Sequence, residues 1–538
     1  MTHQFWRRTS AWLFNLVSAV ALASIYNVPV WKRLSSFYPP DQEGNIIFIV
    51  SLFFIITGCF FLVLNVLTYI RLNKILACLV FLVNPFVLYF INEYSVMVDS
   101  VMIENVLQTD AAEAKEIISW TFLTYAALGI MVSAIIWRFK IIYPNSLRLY
   151  LRHTIIVFAN IAVIASLMLT NFQAAASMVR NHKELRYLVL PNNYVYGTIK
   201  VIKNRLPTVA EKLHLYEAKK DISWKDNKKK TIFILVIGET ARADNFSLYG
   251  YNRQTNPKLT KDNVIVFKNM LSCGTSTAVS LPCMFSSAGK NNFDSSMRTN
   301  PNNMFQLANR AGFKTLWIDN SSGCKGLCDN IETISMRSLN GNEAKEVYDA
   351  DMIPVMNKFI QRENSDAFIV MHQMGSHGPA YYLRSPQKFW QYTPVCKTER
   401  LDKCLAEEIR NAYDNTILYT DFFLSETIRY LESLSNEYNV ALVYVSDHGE
   451  SLGENNLYLH GLPYSVAPHE QKHVPFILWA SEDFNKEHRI DTDCLRKEAS
   501  EKLSHDNLFH SVLDVLDINS PLVEKKYSIF STCQRPSL

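Results

Sequence analysis

The stretch Thr231–Pro257, TIFILVIGETARADNFSLYGYNRQTNP, decides the fold of the second half of the chain. It begins with a run of Ile, Val, Leu and Phe, which is typical of a buried strand in a parallel sheet. The run stops at Gly238, where polar and charged residues begin. Sites in open α/β sheets lie where strands end and loops begin, so Glu239 is well placed to bind a metal. A single glutamate is more typical of a solvated loop, and its role therefore depends on partners elsewhere.

Strands and helices alternate from Thr231 onward, which predicts repeated β-α units and a doubly wound, mainly parallel sheet. The further candidate strands are Phe313–Asp319, Ala367–Gln373, Ala441–Ser446 and Val474–Trp479. The candidate helices include Met304–Ala311, Ile409–Leu434 and Asn507–Leu516, the last with Ser504 as a candidate N-cap.

Residues 1–173 read as an all-α membrane domain of five transmembrane helices. Each apolar run is near the ~20 residues that cross a bilayer. The runs cover roughly Ala11–Trp31, Asn45–Ile70, Ile75–Ile91, Ser119–Trp137 and Thr154–Phe172. The first resembles a signal peptide, with Arg7 and Arg8 before it and small residues at 21–23. An uncleaved span is preferred because more spans follow directly.

The basic residues of the loops predict the orientation of this domain. One side carries Arg7, Arg8, Arg71, Lys74, Arg138, Lys140, Arg148 and Arg152. The other side carries Lys32, Arg33 and Lys115, mixed with acidic residues. The N-terminus is therefore expected in the cytoplasm, and five crossings leave the C-terminal part outside.

The cysteines are an independent indication that the C-terminal part lies outside the cytoplasm. Cys59 and Cys78 lie in apolar runs and read as buried thiols. The others are Cys273, Cys283, Cys324, Cys328, Cys396, Cys404, Cys494 and Cys533, and six of them form three close pairs in polar surroundings. Such pairs favour disulfides in an oxidising compartment. The alternatives are a reduced cytosolic protein or a zinc ribbon, but a ribbon needs paired C-x-x-C hairpins.

Chain length and net charge limit the classes of protein to which the sequence can belong. The 538 residues are too many for one core, so several domains are expected. The net charge of +4 argues against a dedicated nucleic-acid binder. Residues 174–230 read as a bridge, helical at first and ending in the lysine-rich stretch 217–230, which is typical of a flexible linker. Residues 231–538 form the predicted catalytic domain.

A polar strip interrupts the membrane domain at 92–116. Asn105, Thr109 and Glu113 are spaced four residues apart and share one face if the segment is helical. A solvated loop helix explains this periodicity equally well. The functional interpretation is a strip at the outer leaflet that binds the amine of a lipid head group.

Three further polar clusters follow strands or begin helices. Ser272–Cys283 is rich in hydroxyl groups, and Thr277 is expected near a helix N-terminus, where N–H groups favour a phosphate. Ordinary helix capping is the commoner role for one such hydroxyl. The second cluster is His372–Pro379. The third, Val445–Glu454, contains Asp447-His448 and is followed by His460. Carboxylate and imidazole together suit zinc, so with Glu239 these clusters favour a metal centre.

Four motifs carry a resemblance to a known family: GETARADNFSLYGYNRQTNP, SCGTSTAVSLPCMFS, MHQMGSHGPAYYLRSP and YVSDHGESLGENNLYLHGLPYSVAP. From Thr231 on, the chain resembles the alkaline phosphatase/sulfatase superfamily. The whole chain resembles the membrane phosphoethanolamine transferases that modify lipid A, the group that includes the colistin-resistance transferases. Arylsulfatases carry their nucleophile in a Cys/Ser-x-Pro-x-Arg setting, which the Thr277 segment lacks.

The resemblance implies a set of site residues. The zinc ligands fall on Glu239, Thr277, Asp447 and His448, with Thr277 as the nucleophile, whose pKa zinc would lower. Accessory histidines near the substrate phosphate, or near a second zinc, fall on His377 and His460. The amine-binding strip falls on Asn105, Thr109 and Glu113, and further substrate contacts fall on Thr275 and Lys325. The implied disulfides are Cys273–Cys283, Cys324–Cys328 and Cys396–Cys404, and Cys494–Cys533 follows by elimination.

The resemblance also implies an activity. Phosphoethanolamine would move from phosphatidylethanolamine to Thr277 and then to lipid A, making the bacterial surface less negative and resistant to polymyxin. The implied place is the inner membrane, with the catalytic domain in the periplasm, and a monomer is expected. Three alternatives stay open at this stage: another acceptor, such as a lipopolysaccharide core sugar or a periplasmic glucan, a zinc phosphodiesterase, and a non-catalytic membrane sensor.

Overall fold

The computed structural model describes residues 8–109, 114, 118–204, 222–224, 229–294, 297, 300–339 and 347–535. The chain divides into two compact units, and each contains two segments. The first unit takes in Met1–Ile103 and Ile117–Ile199, and the second takes in Glu104–Glu116 and Lys200–Leu538. The predicted boundaries at residues 173 and 230 stay a prediction.

The N-terminal part of the chain is helical. Its helices are α1 (Ala11–Ser24), α2 (Val28–Phe37), α3 (Asn45–Thr68), α4 (Asn73–Tyr94), α5 (Ser100–Gln108), α6 (Trp120–Arg138), α7 (Leu147–Thr170), α8 (Phe172–Asn181) and α9 (Asn192–Asn204). Two short strands, β1 (Arg8–Ser10) and β2 (Lys140–Ile142), pair in parallel. Among the described residues, α3, α4, α6 and α7 are long and apolar enough to cross a membrane. The predicted first span is broken into α1 and α2, which meet at 52° and would make a fifth span if counted together.

A buried polar network joins the helices of the first unit. The Asn15 amide donates to Asn65 Oδ1 (3.1 Å) and to Thr68 Oγ1 (2.9 Å), and the Asn73 amide donates to Asn15 Oδ1 (2.8 Å). His153 Nε2 lies 3.1 Å from the Asn65 carbonyl. Because polar groups in an apolar surrounding need partners, these bonds fix which faces of α1, α3 and α7 meet.

The second unit contains one large sheet of eight strands, in the order β13-β5-β12-β9-β4-β8-β6-β7. The strands of the second unit are β3 (Ser223–Trp224), β4 (Thr231–Gly238), β5 (Ile265–Leu271), β6 (Lys314–Asp319), β7 (Glu332–Ser335), β8 (Ala367–His372), β9 (Asn439–Ser446), β10 (Ser451–Leu452), β11 (Tyr458–Leu459), β12 (His473–Ala480), β13 (Lys502–Ser504) and β14 (Ile518–Asn519). In this sheet only β12 runs against its neighbours, and the other pairs are parallel. The sheet confirms the predicted fold class, and β5, β7 and β13 are strands that the sequence pattern did not indicate.

Helices cover both faces of the sheet. They are α10 (Thr277–Met284), α11 (Gly289–Asn292), α12 (Met304–Ala311), α13 (Met336–Leu339), α14 (Met352–Glu363), α15 (Ala406–Leu434), α16 (Glu482–Glu487), α17 (Thr492–Glu498) and α18 (Asp506–Val515). Alternate residues of β4 point to opposite faces. Phe233, Leu235 and Ile237 join the core under α10, α12 and α18, whereas the even-numbered residues join the core under α14 and α15. The predicted N-cap of the last helix lies one residue too early, because His505 takes that position.

Candidate active site and metal centre

The carboxyl ends of three neighbouring strands bring the predicted site residues together. The central strand β4 lies between β9 and β8, and Gly238 pairs with Ser446 while Ile237 pairs with His372. Glu239 therefore leaves the sheet beside Asp447 and His448, which follow β9 directly. All three side chains are fully buried. This is the edge at which open α/β sheets place their sites.

Thr277 reaches the same point from a different direction. It is the first residue of α10, and it follows β5 by a short loop. Its hydroxyl lies 3.0 and 3.2 Å from the two Glu239 carboxylate oxygens and 3.3 Å from Nε2 of His448. A hydroxyl at a helix N-terminus, beside a carboxylate and an imidazole, has neighbours that suit a nucleophile acting on a phosphate.

The donor set fits a divalent metal ion. One oxygen each from Glu239 and Asp447 and one nitrogen from His448 lie within 4.8 Å of one another. Asp447 Oδ1 accepts from the backbone N–H of Thr240 (3.2 Å) and of His448 (2.7 Å). Its other oxygen, Oδ2, is buried with no hydrogen-bond partner in the described part of the chain. A buried carboxylate oxygen without a donor is costly, and a cation at the centre of this cluster would remove that cost.

Burial and neighbouring charges shift the pKa values of Asp447, His448 and Glu239. Burial raises the pKa of Asp447 to about 6. Burial and the nearby His460 lower the pKa of His448 to about 3, so its imidazole is neutral and able to act as a ligand. Burial and the Asp447 charge act to raise the pKa of Glu239, but His372 and the other histidines outweigh them and the pKa is lowered.

His372 lies between the carboxylates of Asp319 and Glu239. Its Nδ1 lies 2.8 Å from Asp319 Oδ1, and its Nε2 lies 3.7 Å from Glu239 Oε2. Burial acts against the charged ring, but the hydrogen bond to Asp319 and the nearby Glu239 carboxylate raise its pKa to about 10. The imidazolium therefore compensates part of the negative charge that Glu239 and Asp447 bring into the interior.

His377 and His460 lie on the open side of the cluster. One nitrogen from each lies within 4.8 Å of a Glu239 oxygen, and the His448 and His460 rings are 4.4 Å apart. His460 Nδ1 is 2.9 Å from Glu450 Oε2, while the Tyr381 hydroxyl donates to the other Glu450 oxygen at 2.7 Å. Burial opposes the charged form of His460, but Glu450 raises its pKa to about 9. Burial lowers the pKa of His377 to about 3.

A polar cavity of about 60 Å³ opens at Thr277. Its other lining residues include the predicted substrate contacts Lys325, Asn105 and Thr109, with His377 and His460. All of them lie in the second unit, which contains Glu104–Glu116. Glu113, the third member of the predicted strip, lies outside the described residues.

Thr275 forms hydrogen bonds to the segment that follows His460. Its hydroxyl donates to the Leu462 carbonyl at 2.5 Å, and its carbonyl accepts from the Gly461 N–H at 2.7 Å. These bonds attach the segment after His460 to the segment before Thr277. A direct contact of Thr275 with substrate stays a prediction.

Four disulfides are present in the second unit. They join Cys273 to Cys283, Cys324 to Cys328, Cys396 to Cys404, and Cys494 to Cys533. The first encloses Thr277, and the second encloses Lys325. Loop closure by these bonds restricts the chain on both sides of the cavity.

The carboxylate of Asp349 holds the turn that leads to His377. It is fully buried and accepts from the backbone N–H groups of Met374 (2.8 Å) and Gly375 (3.1 Å) and from two side-chain amides. At Gly375, with φ +54°, a Cβ would lie 2.6 Å from the Glu239 carbonyl. The turn therefore packs directly against the proposed ligand.

We expect Asp349→Asn to destabilise the protein by about 2–4 kcal/mol, because one oxygen is lost and two of the buried donors lose an acceptor. Urea unfolding of the disulfide-intact protein measures this. Asp483→Asn, at a carboxylate that is half exposed and paired with Lys229, is the control and should leave the unfolding midpoint close to that of the wild type. Equal unfolding midpoints for the two variants would contradict the assignment.

Comparison with known proteins identifies the family. Residues 231–518 match the family model "Sulfatase", and residues 56–206 match "Phosphoethanolamine transferase EptA/EptB". The phosphoethanolamine transferase EptA of Escherichia coli K12 is 36% identical over 98% of this chain and 97% of its own length. The chain belongs to the phosphoethanolamine transferase family. The phosphatidylethanolamine transferase Mcr-1 of Escherichia coli is 34% identical over 97% of this chain and 98% of its own length. Among solved structures, the integral membrane EptA of Neisseria meningitidis is 30% identical, covers 98% of this chain and 100% of its own, and has a TM-score of 0.92.

Several residues around the site of this transferase family member were not assigned from the sequence. They are Asp319, Asp349, His372, Tyr381 and Glu450. His372 and Glu450 stand inside motifs that were quoted, and their positions next to strand ends were the available signal. Tyr381 also lies in one of these motifs and Asp319 ends a predicted strand, but their contacts, like those of Asp349, join segments far apart in sequence, which no local pattern indicates.

Proposed function

We propose that this chain transfers phosphoethanolamine from phosphatidylethanolamine to lipid A, with Thr277 as the residue that carries the group between them. The observation that carries the proposal is the position of the Thr277 hydroxyl, 3.0 Å from Glu239 and 3.3 Å from His448 at the start of α10. The relatives at 34–36% identity over nearly the whole chain are named phosphoethanolamine transferase and phosphatidylethanolamine transferase.

The first half-reaction uses Thr277 as the nucleophile. Its Oγ1 forms a bond to the phosphorus of phosphatidylethanolamine, and the bond from phosphorus to the diacylglycerol oxygen breaks. The hydroxyl proton passes toward Glu239, whose carboxylate already accepts it in a hydrogen bond. In the second half-reaction a phosphate oxygen of lipid A attacks the same phosphorus, and Thr277 leaves with its proton restored.

Glu239, Thr277, Asp447 and His448 are the residues that would hold zinc. Two carboxylates, one neutral imidazole and a hydroxyl suit this ion better than magnesium, which prefers oxygen ligands and several waters. Bound zinc lowers the pKa of a ligated hydroxyl and offsets charge on phosphoryl oxygens. His377 and His460 offer a further pair of nitrogens close to Glu239, which could hold a second ion or the substrate phosphate.

Without a second ion, His460 has the properties of a proton donor for the leaving diacylglycerol. Its ring is held by Glu450, and this carboxylate favours the imidazolium. We expect Glu450→Gln to lower kcat about 10–100-fold, because a neutral amide no longer favours the charged form of the ring.

The pH dependence of the transfer rate also tests the role of the Glu450–His460 pair. Glu450 favours the charged form of His460, which loses its proton as pH rises through about 9. The alkaline limb of the wild-type pH–rate profile should therefore lie near that value. In Glu450→Gln the limb should move to lower pH. An unchanged limb, with unchanged kcat, would show that the pair has no part in proton transfer.

The polar cavity supports recognition of the head group. Asn105, Thr109 and Lys325 line it together with Thr277. The lysine is suited to the phosphate, and the oxygens of the strip are suited to the ethanolamine ammonium. The donor and the acceptor are both lipids. Membrane helices in the same chain as the site therefore raise the local concentration of both lipids. We place the catalytic unit in the periplasm, on the outer side of the inner membrane.

Mass spectrometry of lipid A tests the proposal. Cells that express the chain should show lipid A with added phosphoethanolamine, and cells without it should not. Free phosphoethanolamine is measured in the same extracts. Release of the free group with unmodified lipid A would favour a phosphodiesterase, and modification of a core sugar alone would move the acceptor away from lipid A.

A further inference from the structure

A second group of metal-binding side chains lies in the catalytic unit and shares no residue with the site above. Asp244, His469 and His473 each bring one ligand atom within 4.8 Å of the others. Asp244 lies in the turn Ala243–Asn245, His469 begins the turn His469–Gln471, and His473 is the first residue of β12. Asp244 lies more than 220 positions before His469 and His473, which are four positions apart, so no local motif links the carboxylate to the two histidines.

His473 is already oriented as a ligand. Its Nε2 lies 2.7 Å from the Lys268 carbonyl, which can only accept, so Nε2 carries the hydrogen. In the neutral ring, the lone pair is therefore on Nδ1, which faces Asp244 Oδ1 at 3.7 Å. Nδ1 is buried and makes no hydrogen bond to any described residue. A backbone carbonyl on the far nitrogen is the usual support of a metal-binding histidine.

The separation of Asp244 and His473 fits a shared ion better than a direct bond. A distance of 3.7 Å is too long for a hydrogen bond. Two ligands on a tetrahedral zinc, with bonds of about 2.0–2.1 Å, stand roughly 3.3 Å apart. Asp244 Oδ2 is also buried without a hydrogen-bond partner, as far as the described residues show. His473 and Asp244 thus each contain one buried polar atom, Nδ1 and Oδ2, that makes no hydrogen bond to a described residue.

His469 completes the arrangement from the exposed side. Its ring stacks on that of His473, with centroids 4.7 Å apart. The stack brings a second imidazole nitrogen within 4.8 Å of the His473 nitrogen and of the Asp244 carboxylate oxygen. An ion pair between Asp244 and His473 alone would leave the position of His469 without a role.

We propose that Asp244, His469 and His473 form a second, separate binding site for a divalent transition-metal ion of the zinc type. Two imidazoles and one carboxylate are a common ligand set for zinc, and water occupies the remaining position. No residue of this site belongs to the set proposed to act on the lipid substrates, so the proposal does not depend on the proposed function.

The site joins two segments that lie behind the active site. Arg242, two residues before Asp244, donates to the Glu450 carbonyl at 3.1 Å. On the other side, the N–H groups of Gly449 and Glu450 donate to the carbonyls of Gln471 and Glu470, each at 3.1 Å. An ion that links the two turns would therefore stabilise the backbone that carries His448 and Glu450.

The test uses the full chain in detergent, equilibrated with low-micromolar zinc. Zinc per chain is measured by elemental analysis, and Tm is measured with and without the ion. The variants are His469→Asn, whose side chain is exposed, and Asp244→Asn, which keeps the shape of the residue. Glu470→Gln is the matched control, because it lies in the same turn and outside the ligand set.

Both test variants should bind one zinc equivalent fewer than the wild type and Glu470→Gln, and zinc should raise their Tm less. Equal zinc content and equal zinc-induced Tm shifts in all four proteins would overturn the site. A wild-type content of one equivalent, lost on substitution of Asp447 but kept in His469→Asn, would overturn it too.

Discussion

Thr277→Ala is expected to lower the rate of transfer to lipid A by at least about 10⁴-fold and to leave no covalent adduct on the protein. The alanine removes the atom that would bond to phosphorus. It also removes a hydroxyl that contacts both Glu239 and His448, so the variant loses the nucleophile and one proposed metal ligand together. Lipid A modification in cells, and transfer from phosphatidylethanolamine in detergent, both measure the effect.

Two neighbouring changes control for the effect of the substitution itself. Thr277→Ser keeps the hydroxyl and should retain part of the activity. Ser276→Ala, one residue earlier, should stay within a few-fold of the wild type. The Ser276 hydroxyl is buried, caps no N–H of α10 and finds no hydrogen-bond partner among the residues described. Normal lipid A modification by Thr277→Ala would exclude the covalent mechanism.

Asp447→Asn should lower transfer at least about 10³-fold and yet stabilise the metal-free protein. The asparagine keeps Oδ1 as the acceptor for two backbone N–H groups, and it replaces the unpartnered Oδ2 by a donor. Removing one of two buried carboxylates relieves repulsion with Glu239, by roughly 1–2 kcal/mol. The loss of a ligand should also weaken the rise in Tm on adding zinc.

The pH dependence distinguishes this effect from general stabilisation. Folding raises the pKa of Asp447 to about 6, so the folded state binds more protons than the unfolded state between the ordinary aspartate value and about 6. The metal-free wild type should therefore lose stability as pH rises through that window, and Asp447→Asn should lack this slope. Asp483→Asn, at an exposed carboxylate, is the control. A less stable metal-free Asp447→Asn with unchanged zinc binding would contradict the assignment.

The elements that the sequence predicted well are those with strong local signals. The apolar run of β4, the Asp447-His448 pair after β9 and the hydroxyl cluster before α10 each mark a strand end or a helix start. The doubly wound pattern then places strand ends at one edge, which is why the residues proposed to bind metal come together. The motifs that resemble the family named the same residues.

Other features depend on contacts that one segment cannot show. At the bend between α1 and α2, which breaks the first predicted span, the Asn27 amide donates to the Leu22 carbonyl and to the Leu190 carbonyl far along the chain. The charge on His372 comes from Asp319 and Glu239, on two other strands. β7 and β13 are the short strands at the two edges of the sheet, and their pairing follows from tertiary packing.

Identifying the residue that becomes modified tests the central claim most directly. The metal-loaded protein is incubated with phosphatidylethanolamine in the absence of lipid A, quenched and digested, and its peptides are sequenced by mass spectrometry. The account predicts one phosphoethanolamine group on Thr277, which disappears when lipid A is added and does not form after the metal is removed. A group attached to another residue, or rapid lipid A modification with no adduct at any time after mixing, would contradict it.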